Sequence, residues 1–212
     1  MNAVENPWAA RRREYSEAGL RETDLAAEPL AMFRRWYDDA ADLPEPNAMV
    51  LATVSADGQP SVRTVLLKGF DERGAVFFTN RGSRKGTDLA ANPKCALLFP
   101  WHPLERQVRV EGVAESLDAK EVAAYFASRP RGARLGAHAS RQSRPTTPAA
   151  LAEAFAEAEQ RFGDEVPVPQ EWGGYRVRPQ RWEFWQGRSN RMHDRLCYLP
   201  DGAGWRVQRL AP

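Results

Sequence analysis

Cysteine is almost missing from this 212-residue chain: only Cys95 and Cys197 occur, and no C-x-x-C pair is present. That removes a disulfide scaffold and a cysteine zinc site from consideration, and points to a reducing cytoplasm. Histidine is equally sparse. His102, His138 and His193 lack the spacing of metal ligands, so no metal is expected. No apolar run approaches the roughly 20 residues that cross a bilayer, and the opening MNAVENPWAARRREY has no apolar signal core. Excess charge of one sign is also absent. Thirty basic residues against 28 acidic ones leave a formal +2, too even for bulk attraction to nucleic acid or an anionic membrane. G-x-G-x-x-G, G-x-x-x-x-G-K-[ST] and G-x-S-x-G are all missing, which argues against a doubly wound nucleotide fold and a serine hydrolase. No internal repeat or low-complexity tract appears.

What is present is a soluble globular composition, 42% hydrophobic and 27% charged, long enough for a sizeable core. Residues 5–17 read as a short Arg-rich helix. Residues 29–43 read as an amphipathic one, with Leu30, Phe33, Trp36 and Tyr37 at helical spacing and Pro44 as a stop. Strands follow at 48–54, 61–68 and 75–79. Ser83 caps a helix to Ala91, and strands at 94–101 and 106–116 come next. Asp118 with Glu121 opens a helix to Ser128, residues 129–144 are polar and partly helical, and Thr147-Pro148 opens another helix to Phe162. Strands at 175–178, 182–186, 191–199 and 205–209 complete the chain. Hairpin-joined strands with segregated helices predict an α+β antiparallel barrel with flanking helices. Residues 1–45 are expected to form a helical segment packing on or closing over a barrel domain at 46–212.

The stretch EFWQGRSNRMHDRLCY at 183–198 looks most like a site. Read as a strand after a turn at 187–190, it puts Arg191, His193, Arg195 and Cys197 on one face, beside Trp182, Phe184 and Trp185. Clustered cations repel unless an anion lies across them, and the Arg fork suits phosphate or carboxylate. A solvated edge strand is the plainer reading. Three other places carry cations. Arg63 and Lys68 fall on opposite faces of a regular strand, so sharing a ligand requires the strand to bulge or end near Lys68. Thr79-Asn80-Arg81-Gly82-Ser83-Arg84-Lys85 runs from a strand through a turn into a helix start, where backbone N–H groups favour an anion. Tyr125 to Arg131 ends a helix with Arg129 and Arg131, where the helix dipole alone would explain the charge. Cationic sites and aromatics without an evident nucleophile suggest that a bound group does the hard chemistry.

RTVLLK (63–68), FFTNRGSRK (77–85), LFPWHPLERQV (98–108), YFASRPR (125–131), RQS (141–143), WGG (172–174), EFWQG (183–187), RMHDR (191–195) and RLAP (209–212) together resemble the pyridoxine/pyridoxamine 5′-phosphate oxidase family, in order from about Arg12 to the last residue. The resemblance implies an FMN-binding split β-barrel, homodimeric, with sites at the subunit interface. It implies oxidation of pyridoxamine or pyridoxine 5′-phosphate by O₂ to pyridoxal 5′-phosphate and H₂O₂. Carried over by motif, Arg63, Arg84, Lys85, Thr79 and Ser143 would hold the FMN phosphate region. Val65, Leu66, Leu67, Lys68, Phe78, Gln107, Gln142, Trp185 and Arg195 would complete the cofactor site. Lys68, Tyr125, Arg129 and the position of Ala133 would bind the substrate phosphate. Arg191 and His193 would cover the substrate ring as the catalytic pair; no side-chain base is obligatory, and His193, whose charge state is easily tuned, is the residue that would assist proton removal. Arg12 and Tyr15 would belong to a segment closing over the substrate. Three positions depart from the pattern: Phe78 stands for a Tyr, Ala133 for a phosphate-binding Ser, and Arg188 for a second Gly after Gly187. Another flavin or deazaflavin reaction on the same barrel, or a non-enzymatic flavin or pyridoxal-phosphate carrier, would be the alternatives.

Overall fold

The computed structural model describes Glu14, Tyr15 and residues 19–212. The expected helix over 5–17 and the Arg12 assignment fall outside these residues, except that Glu14 and Tyr15 are not helical. The strands are β1 (Ala48–Val54), β2 (Pro60–Leu66), β3 (Gly69–Asp71), β4 (Gly74–Asn80), β5 (Lys94–Trp101), β6 (Arg106–Ser116), β7 (Trp172–Gln186), β8 (Asp194–Asp201) and β9 (Gly204–Leu210). The α-helices are α1 (Pro29–Asp39), α2 (Arg84–Ala91), α3 (Ala119–Ser128), α4 (Arg131–Ala139) and α5 (Pro148–Arg161). Strand neighbours run β2-β1-β5-β6-β7-β4-β3, and β8 pairs with both β7 and β9. The hairpins β1–β2, β3–β4 and β8–β9 pair antiparallel, as short turns require.

Two compact units share these strands. One comprises Asn47–Phe99 and Val110–Gln180. In it β1 alternates, with Met49 and Leu51 fully buried, and Phe77, Leu97, Phe99 and Val110 join them at 0% exposure. Each such side chain contributes roughly 1.5–3 kcal/mol by leaving water. A second cluster under α3, α4 and α5 joins Val122, Phe126, Leu135, Ala158, Val166 and Trp172. The helix starts follow from capping chemistry. Ser83 accepts from the Gly86 N–H, Asp118 from Glu121, and Thr147 from Ala150 ahead of Pro148.

The other unit comprises Met1–Pro46, Pro100–Arg109 and Arg181–Pro212. Here α1 buries Met32, Phe33 and Trp36 on one face. Trp36 meets Phe184 edge-on at 5.2 Å, and Phe33 lies 5.9 Å from Trp182. The Tyr198 hydroxyl donates to the Ala26 carbonyl at 2.7 Å, tying β8 to the approach of α1.

Three local expectations change. The strands expected at 175–178 and 182–186 are one strand, β7. Its ladder to β4 ends at Val177 and its ladder to β8 begins at Trp182, so Pro179 falls where its missing N–H interrupts neither. β8 begins at Asp194 instead of Arg191, because Asn190 and Arg191 take left-handed φ of 54° and 59° in a 3₁₀ turn at Ser189–Arg191. β2 stops at Leu66, and the short β3, not expected from the sequence, follows.

Candidate functional site

That early stop of β2 decides the geometry of the main cavity. Arg63 and Lys68 would diverge on a continuous strand, but both line one cavity of about 760 Å³. β4 contributes Phe78 and Thr79, α2 contributes Lys85, α3 contributes Tyr125, and Arg129 caps the end of α3. Four of the lining residues are cations and none is a carboxylate.

Each cation is held differently. The Arg63 guanidinium donates to Thr53 Oγ1 at 2.7 Å, Ser61 Oγ at 2.9 Å and the Leu51 carbonyl at 3.1 Å. Behind it the buried Asp88 accepts from Thr53 Oγ1 at 2.7 Å and lies 3.8 Å from Arg63. Lys85 is buried in the first turn of α2. Its Nζ donates to Gln142 Oε1 at 2.8 Å, Thr79 Oγ1 at 3.2 Å and Ser83 Oγ at 3.3 Å, all neutral acceptors. Desolvation lowers its pKa, and the neighbouring Arg63 lowers it further. Arg63 is likewise shifted down, first by burial and also by Arg84, against the pull of Asp88.

Arg129 lies 5.1 Å above Trp172 and 5.7 Å above Phe126, and its Nη1 is buried without a partner among the described residues. Burial lowers its pKa too. An orphaned guanidinium N–H costs free energy that an incoming oxyanion would recover. Beside it three rings lie nearly parallel. Phe78 stacks on Tyr125 at 3.9 Å and 8°, and on Trp172 at 5.4 Å and 7°. Phe78, where the family pattern has Tyr, therefore serves as a ring that positions Tyr125 by its face. The arrangement can hold a flat, anionic molecule against aromatic walls.

Eleven of the residues assigned by motif line this cavity: Arg63, Val65, Leu66, Lys68, Phe78, Thr79, Lys85, Tyr125, Arg129, Ala133 and Gln142. Thr64, Asn80, Gly136, Ala137, Ser140 and Trp172 also line it and were not assigned, although Thr64, Asn80 and Trp172 sit inside quoted motifs. Leu67 does not line the cavity. Its side chain is buried, its N–H donates to the Asn47 carbonyl, and its carbonyl accepts from Asn47 Nδ2. Arg84 is exposed and also absent from the lining, and its backbone N–H donates to Ser143 Oγ at 3.2 Å. Ser143, at φ 70°, lines an adjoining groove of about 1110 Å³, with which the cavity shares Gln142.

The other unit holds the remaining assigned residues. Tyr15, Gln107 and Trp185 line a pocket of about 480 Å³ with Glu105 and Arg106. The cation row expected on one strand face is not formed, since Arg191 and His193 precede β8. Arg195 does lie on β8, but Glu183 across the ladder neutralises it, with bonds of 3.1 and 3.0 Å. That bonding raises the Arg195 pKa. Glu183 is 3% exposed and also accepts from Arg109 at 2.8 Å. Arg191 is exposed, and His193 stands between Tyr15 and Trp185, with ring centroids 5.4 and 4.8 Å away.

These features define an α+β antiparallel protein with an anion-binding aromatic cavity, and its solved neighbours define the class. The fold superposes with a TM-score of 0.86 on PhzG from Burkholderia lata, crystallised with tetrahydrophenazine-1-carboxylic acid, at 33% identity over 93% of this chain and all of that one. A pyridoxamine 5′-phosphate oxidase-related, FMN-binding protein from Nostoc punctiforme shares the fold at a TM-score of 0.74 and 17% identity, over 89% of this chain and all of that one. The architecture is the split barrel of that group.

Residues 39–186 match the family described as pyridoxamine 5′-phosphate oxidase, and residues 172–212 match the pyridoxine 5′-phosphate oxidase C-terminal dimerisation region. A pyridoxine/pyridoxamine 5′-phosphate oxidase of Rubrobacter xylanophilus is 59% identical over 208 residues, 96% of each chain. One from Bordetella petrii is 57% identical over 204 residues, covering 95% of this chain and 97% of its own. The chain belongs to the pyridoxine/pyridoxamine 5′-phosphate oxidase family.

Proposed function

We propose that this protein oxidises pyridoxamine 5′-phosphate, pyridoxine 5′-phosphate or both to pyridoxal 5′-phosphate, with FMN as bound cofactor, O₂ as electron acceptor and H₂O₂ as product. The observation that carries the reading is the cavity with four cations, no lining carboxylate and a wall of parallel rings. Cofactor and substrate each join a phosphate to a flat heteroaromatic ring, which is the chemistry such a cavity favours.

The residues fit FMN on two counts. Lys85, buried among neutral oxygens, gains a counter-ion from a phosphate, and Arg63 is already braced by Thr53 and Asp88. Thr79 and Gln142 complete that end, with Val65, Leu66 and Phe78 along the wall, and Arg84 and Ser143 extend it toward the adjoining groove. When bound, FMN supplies the two-electron acceptor that the side chains lack.

The chain's own work is binding and alignment. Lys68, Tyr125 and Arg129 hold the substrate phosphate, far from the reacting carbon, and that binding energy orients the ring. Ala133 supplies no hydroxyl there, a loss on the order of 1 kcal/mol relative to a bonded Ser. In a homodimer with sites at the subunit interface, Gln107, Trp185 and Arg195 complete the cofactor site. Arg191 and His193 cover the substrate ring, and Tyr15, with Arg12, belongs to the segment that closes over it. No side-chain nucleophile is required.

The test is an aerobic assay of purified protein that follows pyridoxal 5′-phosphate and peroxide together, with and without added FMN. Equal amounts of both products are expected for pyridoxine 5′-phosphate, with ammonia as well for pyridoxamine 5′-phosphate. FMN-loaded protein that forms neither product from either substrate sinks the proposal.

A further inference from the structure

The loop joining β7 to β8 closes on itself at His193. The Arg188 backbone N–H donates to His193 Nδ1 at 3.1 Å, and the Met192 N–H donates to the Ser189 carbonyl at 3.1 Å. Left-handed backbone at Asn190 and Arg191 makes that return possible. Both ends of the loop are anchored. The Gly187 N–H donates to the Glu105 carbonyl at 2.7 Å. Gly187 must be glycine, because a Cβ there would lie 2.8 Å from the Tyr15 ring. At the far end the buried Asp194 accepts from the Leu20 N–H at 3.0 Å, pairs with Arg209, and lies 3.5 Å from the Arg188 guanidinium. The imidazole is then held edge-on to Tyr15 and tilted 45° against Trp185.

A backbone N–H can donate only to a ring nitrogen that carries no proton. With Nδ1 committed to Arg188, the single proton of the neutral ring sits on Nε2. We infer that His193 is presented as the Nε2–H tautomer, set by the Arg188 amide, and acts as a hydrogen-bond donor to an acceptor atom of the substrate instead of as a proton-removing base. The proton released from the substrate's amine or hydroxyl goes to water. The position of Arg188 is thus a positioning element, and its side chain, where the family pattern has glycine, adds the tie to Asp194. The donor role rests on the oxidase reading, whereas the tautomer is a property of the loop.

The experiment uses FMN-loaded protein labelled with ¹⁵N-histidine. The chain has only three histidines, so His193→Gln assigns the His193 signals. Long-range ¹⁵N–¹H correlations near pH 7, with and without pyridoxal 5′-phosphate, are expected to show the Nε2–H pattern. An Nδ1–H ring or a doubly protonated ring overturns the inference. Kinetics read the role. His193→Gln keeps an N–H donor near the Nε2 position and is expected to lower kcat by less than about tenfold, and His193→Phe by more. A loss on the order of 10²-fold or greater in both variants is the signature of a general base and overturns the donor role. A wild-type protein with the Nε2–H pattern but no pyridoxal 5′-phosphate formation defeats the oxidase reading and leaves the tautomer standing.

Discussion

The arginines and lysines of the cavity and those of the C-terminal strands look alike in the sequence and differ in the fold. Around the cavity, Arg63, Lys85 and Arg129 are shifted toward losing charge by burial, and Lys68, Lys85 and Arg129 have no ion pair among the described residues. On β8 and β9 the shifts run the other way. Arg195 is satisfied by Glu183, and Arg209 by Glu22 and Asp194, and both pKa values rise. A cation whose counter-charge is missing from the chain is left open to an anionic ligand, whereas one that the chain neutralises also ties the fold together. Arg191, which precedes β8, is an exception in the second region: it is exposed and, like Arg206 on β9, has no ion pair among the described residues.

The exception provides the largest expected effect. Arg191→Ala should lower kcat on the order of 10²-fold or more while FMN stays bound, because a misaligned substrate forfeits orientation. Steady-state kinetics with a flavin absorbance count checks it, and unchanged kinetics would put Arg191 with the architectural cations. In the cavity the damage should reverse order. Lys85→Ala or Arg63→Ala should weaken FMN binding about 10- to 10²-fold, as expected for one charge-assisted phosphate contact of roughly 1.5–3 kcal/mol, measured by fluorescence titration.

A paired experiment sharpens the contrast through opposite signs. Arg195→Met leaves the buried Glu183 with Arg109 and the Cys197 thiol and should destabilise the protein by about 2 kcal/mol, seen as a lower Tm. Arg129→Met removes a half-buried, partly orphaned cation and should raise the Tm of ligand-free protein slightly, while raising KM for the phosphorylated substrate. Tm changes of the same sign would erase the distinction between the two regions.

Alkaline pH tests Lys85 alone. Its lowered pKa means the charge is intact at neutral pH and lost as pH rises, beginning below the ordinary 10.5. FMN affinity should fall over that range in the wild type and hold to higher pH in Lys85→Arg. The smallest effect belongs to Glu22, whose carboxyl is held down to about 2 chiefly by its bonds from Arg209. A depressed carboxyl contributes stability above its ordinary 4.5 and loses it as pH falls toward 2. Glu22→Gln should therefore shift Tm slightly at pH 6 and converge with the wild type near pH 2.

Much of this protein follows from local chemistry and is visible in the sequence. Ser83, Asp118 and Thr147 each satisfy a backbone N–H within three residues, so their helices could be placed directly. Period-two alternation along β6 likewise sorted its faces, with Val108 and Val110 buried. Collinear motifs carried eleven cavity residues by resemblance. Only the tertiary structure decided which cations remain available. Glu183 reaches Arg195 across a ladder, Leu67 is occupied by Asn47 twenty residues away, and two left-handed residues keep Arg191 and His193 off β8. The first two outcomes depend on a partner distant in the chain, whose position sequence spacing does not encode, and the third on a local left-handed backbone that the strand-like pattern of side chains hides.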